Sequence, residues 1–166
     1  MGAERLANAA AMKPETRTKV LFVCLGNACR SPMAEAIASR LAGDVIAAAS
    51  AGLTPLGRVE PLTAETLARN GYPSAGLESK GINLKAIKAA DIIVNMSGRP
   101  KEIAFGNSSK VEDWQVEDPY GADPENYQRI FERIERLVAD LAGELRKGTR
   151  TRTKSGNDGG TDGTDS

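Results

Sequence analysis

Short unbroken apolar runs alternate along this chain with longer stretches in which apolar residues return every three or four positions. The first short run, 19–23 (Lys-Val-Leu-Phe-Val), is apolar and rich in valine, the pattern of a strand buried on both faces. Residues 91–96 repeat that pattern around Ile92, Ile93 and Val94, and 44–50 and 110–116 predict two further strands. Between the strands the spacing becomes helical. After a loop over 24–31, Ser31 as N-cap and Pro32 at the first helical position predict a helix with Met33, Ala34, Ile37, Ala38 and Leu41 on one face. Pro61 opens another, lined by Ala64, Leu67 and Ala68 and ended by Asn70-Gly71 as a left-handed cap. Residues 84–89 predict a helical turn. The clearest periodicity comes last: Asp123-Pro124 caps a helix on which Tyr127, Ile130, Phe131, Ile134, Leu137, Val138, Leu141 and Leu145 recur at helical spacing.

Buried strands that alternate with amphipathic helices imply right-handed crossovers and a sheet covered on both faces. The expected fold is therefore an α/β three-layer sandwich with a four-stranded parallel sheet. Residues 1–17 are small and polar, with Pro14 against a helix, and read as a flexible arm; 18–146 is one folded domain. Residues 147–166 contain no large apolar side chain and read as a disordered tail. In such sheets a ligand binds outside the carboxyl ends of the strands where the strand order reverses, and this directs attention to the segment after Val23.

Composition narrows the chemistry. Lys and Arg number 22 against 22 Asp and Glu, and aromatic residues make up 4%, so neither a basic face nor stacking platforms for nucleic acid are expected. No apolar run is long enough to span a bilayer and no signal-peptide pattern opens the chain, which is expected to be cytoplasmic and free of membrane. There is no histidine. That absence removes Ser-His-Asp and Cys-His nucleophile pairs and histidine metal sites, leaving Cys, Asp/Glu, Lys/Arg, hydroxyls and backbone to do any chemistry. The two cysteines, Cys24 and Cys29, are too few for a zinc site.

Both lie in the segment Cys24-Leu25-Gly26-Asn27-Ala28-Cys29-Arg30-Ser31-Pro32. Gly26 and Asn27 tolerate positive φ, so successive amides can turn inward as an anion-binding nest. The helix N-terminus adds orphan donors and partial positive charge, and Arg30 adds a planar fork that fits two oxygens of a tetrahedral oxyanion. Cys24, at the base of this cradle, sits in a field that favours a thiolate without any imidazole. Cys29 has three readings: packing, a reversible redox disulfide with Cys24, or a resolving thiol. Asp118-Pro119 is a turn starter by residue type, yet a carboxyl there can also serve as acid and base. Glu117 is its obvious substitute.

The run 23–36, Val-Cys-Leu-Gly-Asn-Ala-Cys-Arg-Ser-Pro-Met-Ala-Glu-Ala, resembles the signature of the low-molecular-weight protein tyrosine phosphatases and of the arsenate reductases that share their fold. Ser50-Ala51-Gly52, Ala90-Asp91-Ile92-Ile93-Val94 and Asp118-Pro119-Tyr120 extend the likeness over about 18–146. The resemblance implies a phosphotyrosine phosphatase I-like fold with flavodoxin-like strand order, in which 18–146 is the catalytic domain. It implies a Cys-x5-Arg phosphate-binding loop formed by Leu25, Gly26, Asn27, Ala28, Cys29, Arg30 and Ser31. It also implies Cys24 as nucleophile, Arg30 as clamp on the transition state and Asp118 as acid and base. Ser31 is then the hydroxyl donor to the thiolate, Asn27 and Ser50 support the loop, and Leu56 and Tyr120 form the pocket lip. Neither a cofactor nor a metal is implied.

The expected substrate is a phosphorylated protein, phosphotyrosine foremost, or a small phosphate ester, turned over by a monomer. Arsenate is the alternative, since it mimics phosphate. Thioredoxin-coupled reductases need two further cysteines near the end of the third strand, where this chain has Ser97 and no later cysteine. The reductase reading is thereby confined to a single-cysteine enzyme coupled to a low-molecular-weight thiol. Stretches such as 50–53, 79–82 and 111–114 look more like the reductase branch, and the lip carries Leu56 and Gly121 where phosphatases place aromatic residues.

Overall fold

The computed structural model describes residues 16–150, so the expected arm, apart from its last two residues, and the tail beyond 150 lie outside the described residues. Four strands form one parallel sheet: β1 (Thr18–Cys24), β2 (Ile46–Gly52), β3 (Ile92–Asn95) and β4 (Val111–Asp113), in the order β2-β1-β3-β4. This is the flavodoxin-like order. The helices are α1 (Arg30–Leu41), α2 (Pro61–Arg69), α3 (Leu84–Ala89), α4 (Lys101–Phe105) and α5 (Pro124–Lys147).

The central strand β1 explains the three layers. Its residues alternate between faces: Val20, Phe22 and Cys24 enter the larger core with Met33 and Ile37 of α1 and Phe131 and Ile134 of α5, while Leu21 and Val23 enter a smaller core closed by Ala86 and Ile87 of α3 and Phe105 of α4. Every residue of β1 except Lys19 is buried, as the unbroken apolar run requires. Helix α5 is organised by its ends as well as by its stripe. Asp123 Oδ1 accepts the Asn126 amide at 2.9 Å, Pro124 takes the first turn, and Gly148 leaves the helix at φ 73°. Just beyond it, within the expected tail, Arg150 pairs with Glu112 at 2.6 Å and Glu144 at 3.0 Å.

Several boundaries differ from the sequence reading, each for a local reason. The first helix starts at Arg30, and Ser31 does not cap it, because its hydroxyl is turned to Cys24 and Asn27. Strand β2 is displaced two residues later, since a turn at 42–45 delivers Ile46 opposite Thr18. Strand β4 stops at Asp113, and the chain after it swings away so that the Val116 carbonyl reaches Arg30 at 3.2 Å. Helix α4, with Pro100 before it and Gly106 (φ 70°) after it, is too short to show a period.

The register places the strand ends in one row, with Cys24 opposite Gly52, Val23 opposite Asn95, and Asn95 opposite Asp113. The order reverses beside β1, so the loops after β1 and β3 flank the crevice where a ligand is expected. Among the described residues no helix is long and apolar enough to cross a membrane.

The division of the core predicts where stability resides. Phe131→Ala, emptying a site between α5 and the sheet, lowers unfolding free energy by about 3–5 kcal/mol, whereas Ile103→Ala on exposed α4 changes it by less than about 0.5 kcal/mol. Urea unfolding of the two variants checks this, and similar losses in both would contradict it.

Candidate active site

The loop 24–29 is shaped by what its carbonyls touch. Cys24 O accepts from Leu53 N at 3.0 Å, Leu25 O from Thr54 N at 2.7 Å, and Gly26 O from Leu56 N at 2.9 Å and Ser79 Oγ at 3.0 Å. Ala28 O accepts from Glu60 N at 3.0 Å and Thr63 Oγ1 at 2.9 Å, and Cys29 O from Met33 N at 3.1 Å. All of these partners lie in the surrounding scaffold. In a trans peptide the N–H points opposite to the C=O, so the amides of Leu25, Gly26, Asn27, Cys29 and Arg30 turn to the other side, into the cradle. Among the described residues, the amides of Leu25 to Cys29 have no protein acceptor. Asn27 is the one non-glycine residue at positive φ (49°) among them, and it makes the turn; Gly26 does not adopt positive φ.

Close packing behind the loop depends on Gly52. A Cβ there would lie 2.7 Å from Asn27 N and 2.8 Å from Leu25 O, both backbone atoms that cannot give way. The polar side chains behind the loop are buried and joined: Asn27 Nδ2 donates to Ser31 Oγ at 2.7 Å and Ser50 Oγ at 3.1 Å, and Asn27 Oδ1 accepts from Lys80 N at 2.7 Å. Ser31 places its hydroxyl 2.9 Å and its amide 3.4 Å from Cys24 Sγ, two donors aimed at the sulfur.

Arg30 is buried with a specific division of labour. Its Nη1 donates to Met96 O at 2.5 Å and Val116 O at 3.2 Å, Nη2 lies 3.4 Å from Asp118 Oδ2, and Nε is buried without a partner. A buried guanidinium donor left over is costly unless a ligand takes it, and an oxyanion in the cradle is the group that fits. Asp118 is 45% exposed and accepts the Tyr120 amide at 3.1 Å, so it is a turn residue and a carboxyl beside Arg30 at once. Glu117 turns outward to Arg129 at 3.3 Å and takes no part in the pocket.

These residues enclose a cavity of about 270 Å³ lined by Cys24, Leu25, Gly26, Ala28, Cys29, Arg30, Thr54, Leu56, Asp118 and Tyr120. Leu56 and Tyr120 are exposed at its rim, while Asn27, Ser31 and Ser50 stand behind the loop. A larger groove of about 520 Å³ lies between 115–117 and α5, but it holds neither a thiol nor the oriented amides. Thr54 was not legible in the sequence, having no signal beyond its place just after β2. Glu35, which accepts from Ser50 Oγ, was likewise unmarked.

The family model of the low molecular weight phosphotyrosine protein phosphatases matches residues 19–151. The chain belongs to that family. Among similar proteins, a glutaredoxin arsenate reductase of Synechocystis is 33% identical over 132 residues, 75% of this chain and 98% of that one. A protein-arginine-phosphatase of Bacillus subtilis is 28% identical over 79% of this chain and 99% of its own. Of solved structures, the low molecular weight protein tyrosine phosphatase of T. tengcongensis superposes with TM-score 0.69 at 29% identity, covering 77% of this chain and 99% of its own. An arsenate reductase in the phosphate-binding state gives 0.67 at 30%, covering 77% and 98%. Phosphatases and arsenate reductases thus both stand among the relatives of this family member.

Within the pocket the two thiols differ. Both are free; Cys29 Sγ lies 3.3 Å from the hydroxyl of Tyr127, a residue of α5 that is itself fully buried. Burial pushes the Cys29 thiol up, outweighing the Tyr127 and Thr63 hydrogen bonds that act the other way. Cys29 therefore stays protonated at neutral pH. Brief treatment with iodoacetamide at pH 7.5 is expected to label Cys24 and spare Cys29, read by peptide mass mapping. Equal labelling would show that the environment of Cys29 is wrongly described.

Proposed function

We propose that this protein hydrolyses phosphate monoesters, protein phosphotyrosine foremost, through a cysteinyl-phosphate intermediate. The observation that carries the reading is the meeting of one thiol, one guanidinium and one carboxyl, Cys24, Arg30 and Asp118, around a single small cavity whose floor is backbone N–H. The Cys24 thiolate attacks phosphorus in line and the bond to the leaving oxygen breaks. Asp118 gives that oxygen its proton. Charge on the equatorial oxygens is met by the loop amides and by Nε and Nη2 of Arg30, donors already in place before the reaction begins. In the second half Asp118, now a carboxylate, takes a proton from water, which attacks phosphorus and returns the electron pair to Cys24 as phosphate leaves.

The cradle does not distinguish arsenate from phosphate, and the thiols support the hydrolytic reading. Both cysteines lie in the loop, and the end of β3 offers Ser97, whose hydroxyl donates to Asn95 Oδ1 at 2.7 Å. A hydrolytic cycle needs one nucleophilic sulfur and one acid, roles that Cys24 and Asp118 can fill without a further cysteine. The second reading is a single-cysteine arsenate reductase in which a low-molecular-weight thiol supplies the electrons. Arsenate reduction as such is favoured by the 33% identity to a protein named glutaredoxin arsenate reductase and by a lip with one aromatic ring, Tyr120, to receive a phenyl group.

An aryl phosphate assay in EDTA separates the readings. The wild-type chain is expected to turn over and Cys24→Ser to be inactive. Asp118→Asn is expected to slow the reaction by about 100-fold or more. Turnover that survives Cys24→Ser would overturn the proposal, while arsenate-dependent oxidation of a small thiol with little ester hydrolysis would establish the second reading.

A further inference from the structure

Glu35 sits half-buried on α1, outside the cavity, and the reaction written above does not use it. It is nevertheless the far end of a hydrogen-bond chain that finishes on the nucleophile. Asn27 sets the direction. Its Oδ1 accepts the Lys80 amide, a group that can only donate, so the side-chain amide has one orientation and Nδ2 faces the two serines. Both Nδ2 hydrogens are thus spent on Ser31 Oγ and Ser50 Oγ. Each hydroxyl has a single hydrogen and must send it onward. Ser31 has Cys24 Sγ at 2.9 Å, with Ala51 O farther away at 3.4 Å, and Ser50 has Glu35 Oε1.

We propose that Glu35 is a positioning residue for Cys24: by accepting the Ser50 hydrogen it holds the whole chain in the polarity that delivers the Ser31 hydrogen to sulfur. The competitor is the reverse arrangement. Were the Asn27 amide turned over, its oxygen would accept from Ser31 and Ser50, Lys80 N would lose its acceptor, and Cys24 would lose its hydroxyl donor and keep only the Ser31 amide. Among the described residues Ser50 Oγ has no acceptor other than Glu35, and it is buried from water. Removing the carboxylate therefore penalises the productive polarity, by stranding the Ser50 hydrogen, and narrows its advantage over the reverse one, in which only the Lys80 amide is left without its acceptor. The charge of Glu35 plays no favourable part, because a negative group near a thiolate opposes it; what matters is an acceptor oxygen at that point.

The inference rests on Cys24 being the nucleophile, and the experiment keeps the two apart. Steady-state kinetics with an aryl phosphate, inhibition by inorganic phosphate, and the rate of Cys24 alkylation by iodoacetate at pH 7 are measured on the full chain as wild type, Glu35→Ala, Glu35→Gln and Ser50→Ala. Glu35→Ala is expected to lower kcat and the alkylation rate about tenfold while KM and phosphate inhibition stay within about twofold. Glu35→Gln, which keeps an acceptor oxygen, restores both, and Ser50→Ala, which breaks the chain at its next link, reproduces the loss. Wild-type rates in Glu35→Ala overturn the inference. So does a loss of phosphate affinity that parallels kcat, which marks a collapsed cradle, or a Glu35→Gln variant no better than Ala. If the wild type has no turnover the phosphatase reading fails, and the alkylation rates still decide the role of Glu35.

Discussion

The peptide planes that follow Cys24, Leu25, Gly26, Ala28 and Cys29 turn their oxygens outward, and the rest of the site depends on that constraint. A backbone left to itself would satisfy these carbonyls with water or with its own amides. Here the strand-to-helix connection after β2 supplies Leu53, Thr54, Leu56 and Glu60 as donors, with Thr63 and Ser79 behind them. Each captured oxygen fixes the amide on the other side of its peptide bond. The anion cradle is in this sense built from outside, by backbone and hydroxyl donors of the surrounding scaffold, and preorganised donors of this kind need no rearrangement when charge develops.

Arg30 extends the same logic to the neighbouring strands. One of its terminal nitrogens is bound to carbonyls at the end of β3 and beyond β4, which leaves the other edge of the guanidinium for an oxyanion and for Asp118. The swing of the chain after Asp113 thus has a purpose in the site: it shortens β4 and brings the segment carrying Asp118 across the mouth of the crevice. Parallel topology makes this economical, because every strand delivers its carboxyl end to the same edge.

The parts legible in the sequence were those encoded over short distances. The unbroken run of β1, the stripe of α5 and the Cys-x5-Arg spacing each lie within a single segment, so their residues announce element and chemistry together. Asp118 was legible only through its Pro-Tyr neighbours and the resemblance they carry. What escaped was either too short or too distant. Helix α4 has five residues, less than two turns, and β4 looks longer in sequence because Trp114 and Val116 remain apolar after they have left the sheet. Ser31 resembled an N-cap because capping and holding a thiol need the same hydroxyl, and only geometry tells the two apart. Glu35 sits among alanines on α1 and matters through Ser50, fifteen positions away on another element.

The Cys24 sulfur ends a strand that has parallel neighbours on both sides over much of its length and a core on each face. Fraying and partial opening begin at exposed, weakly packed pieces such as α3 and α4, and they reach a central strand last. Cys24 is therefore anchored to the least labile part of the molecule. Oxidants and alkylating agents have to approach it through the pocket mouth, because no modest fluctuation uncovers it from behind, and the selectivity of its modification is set by the width and lining of that one opening.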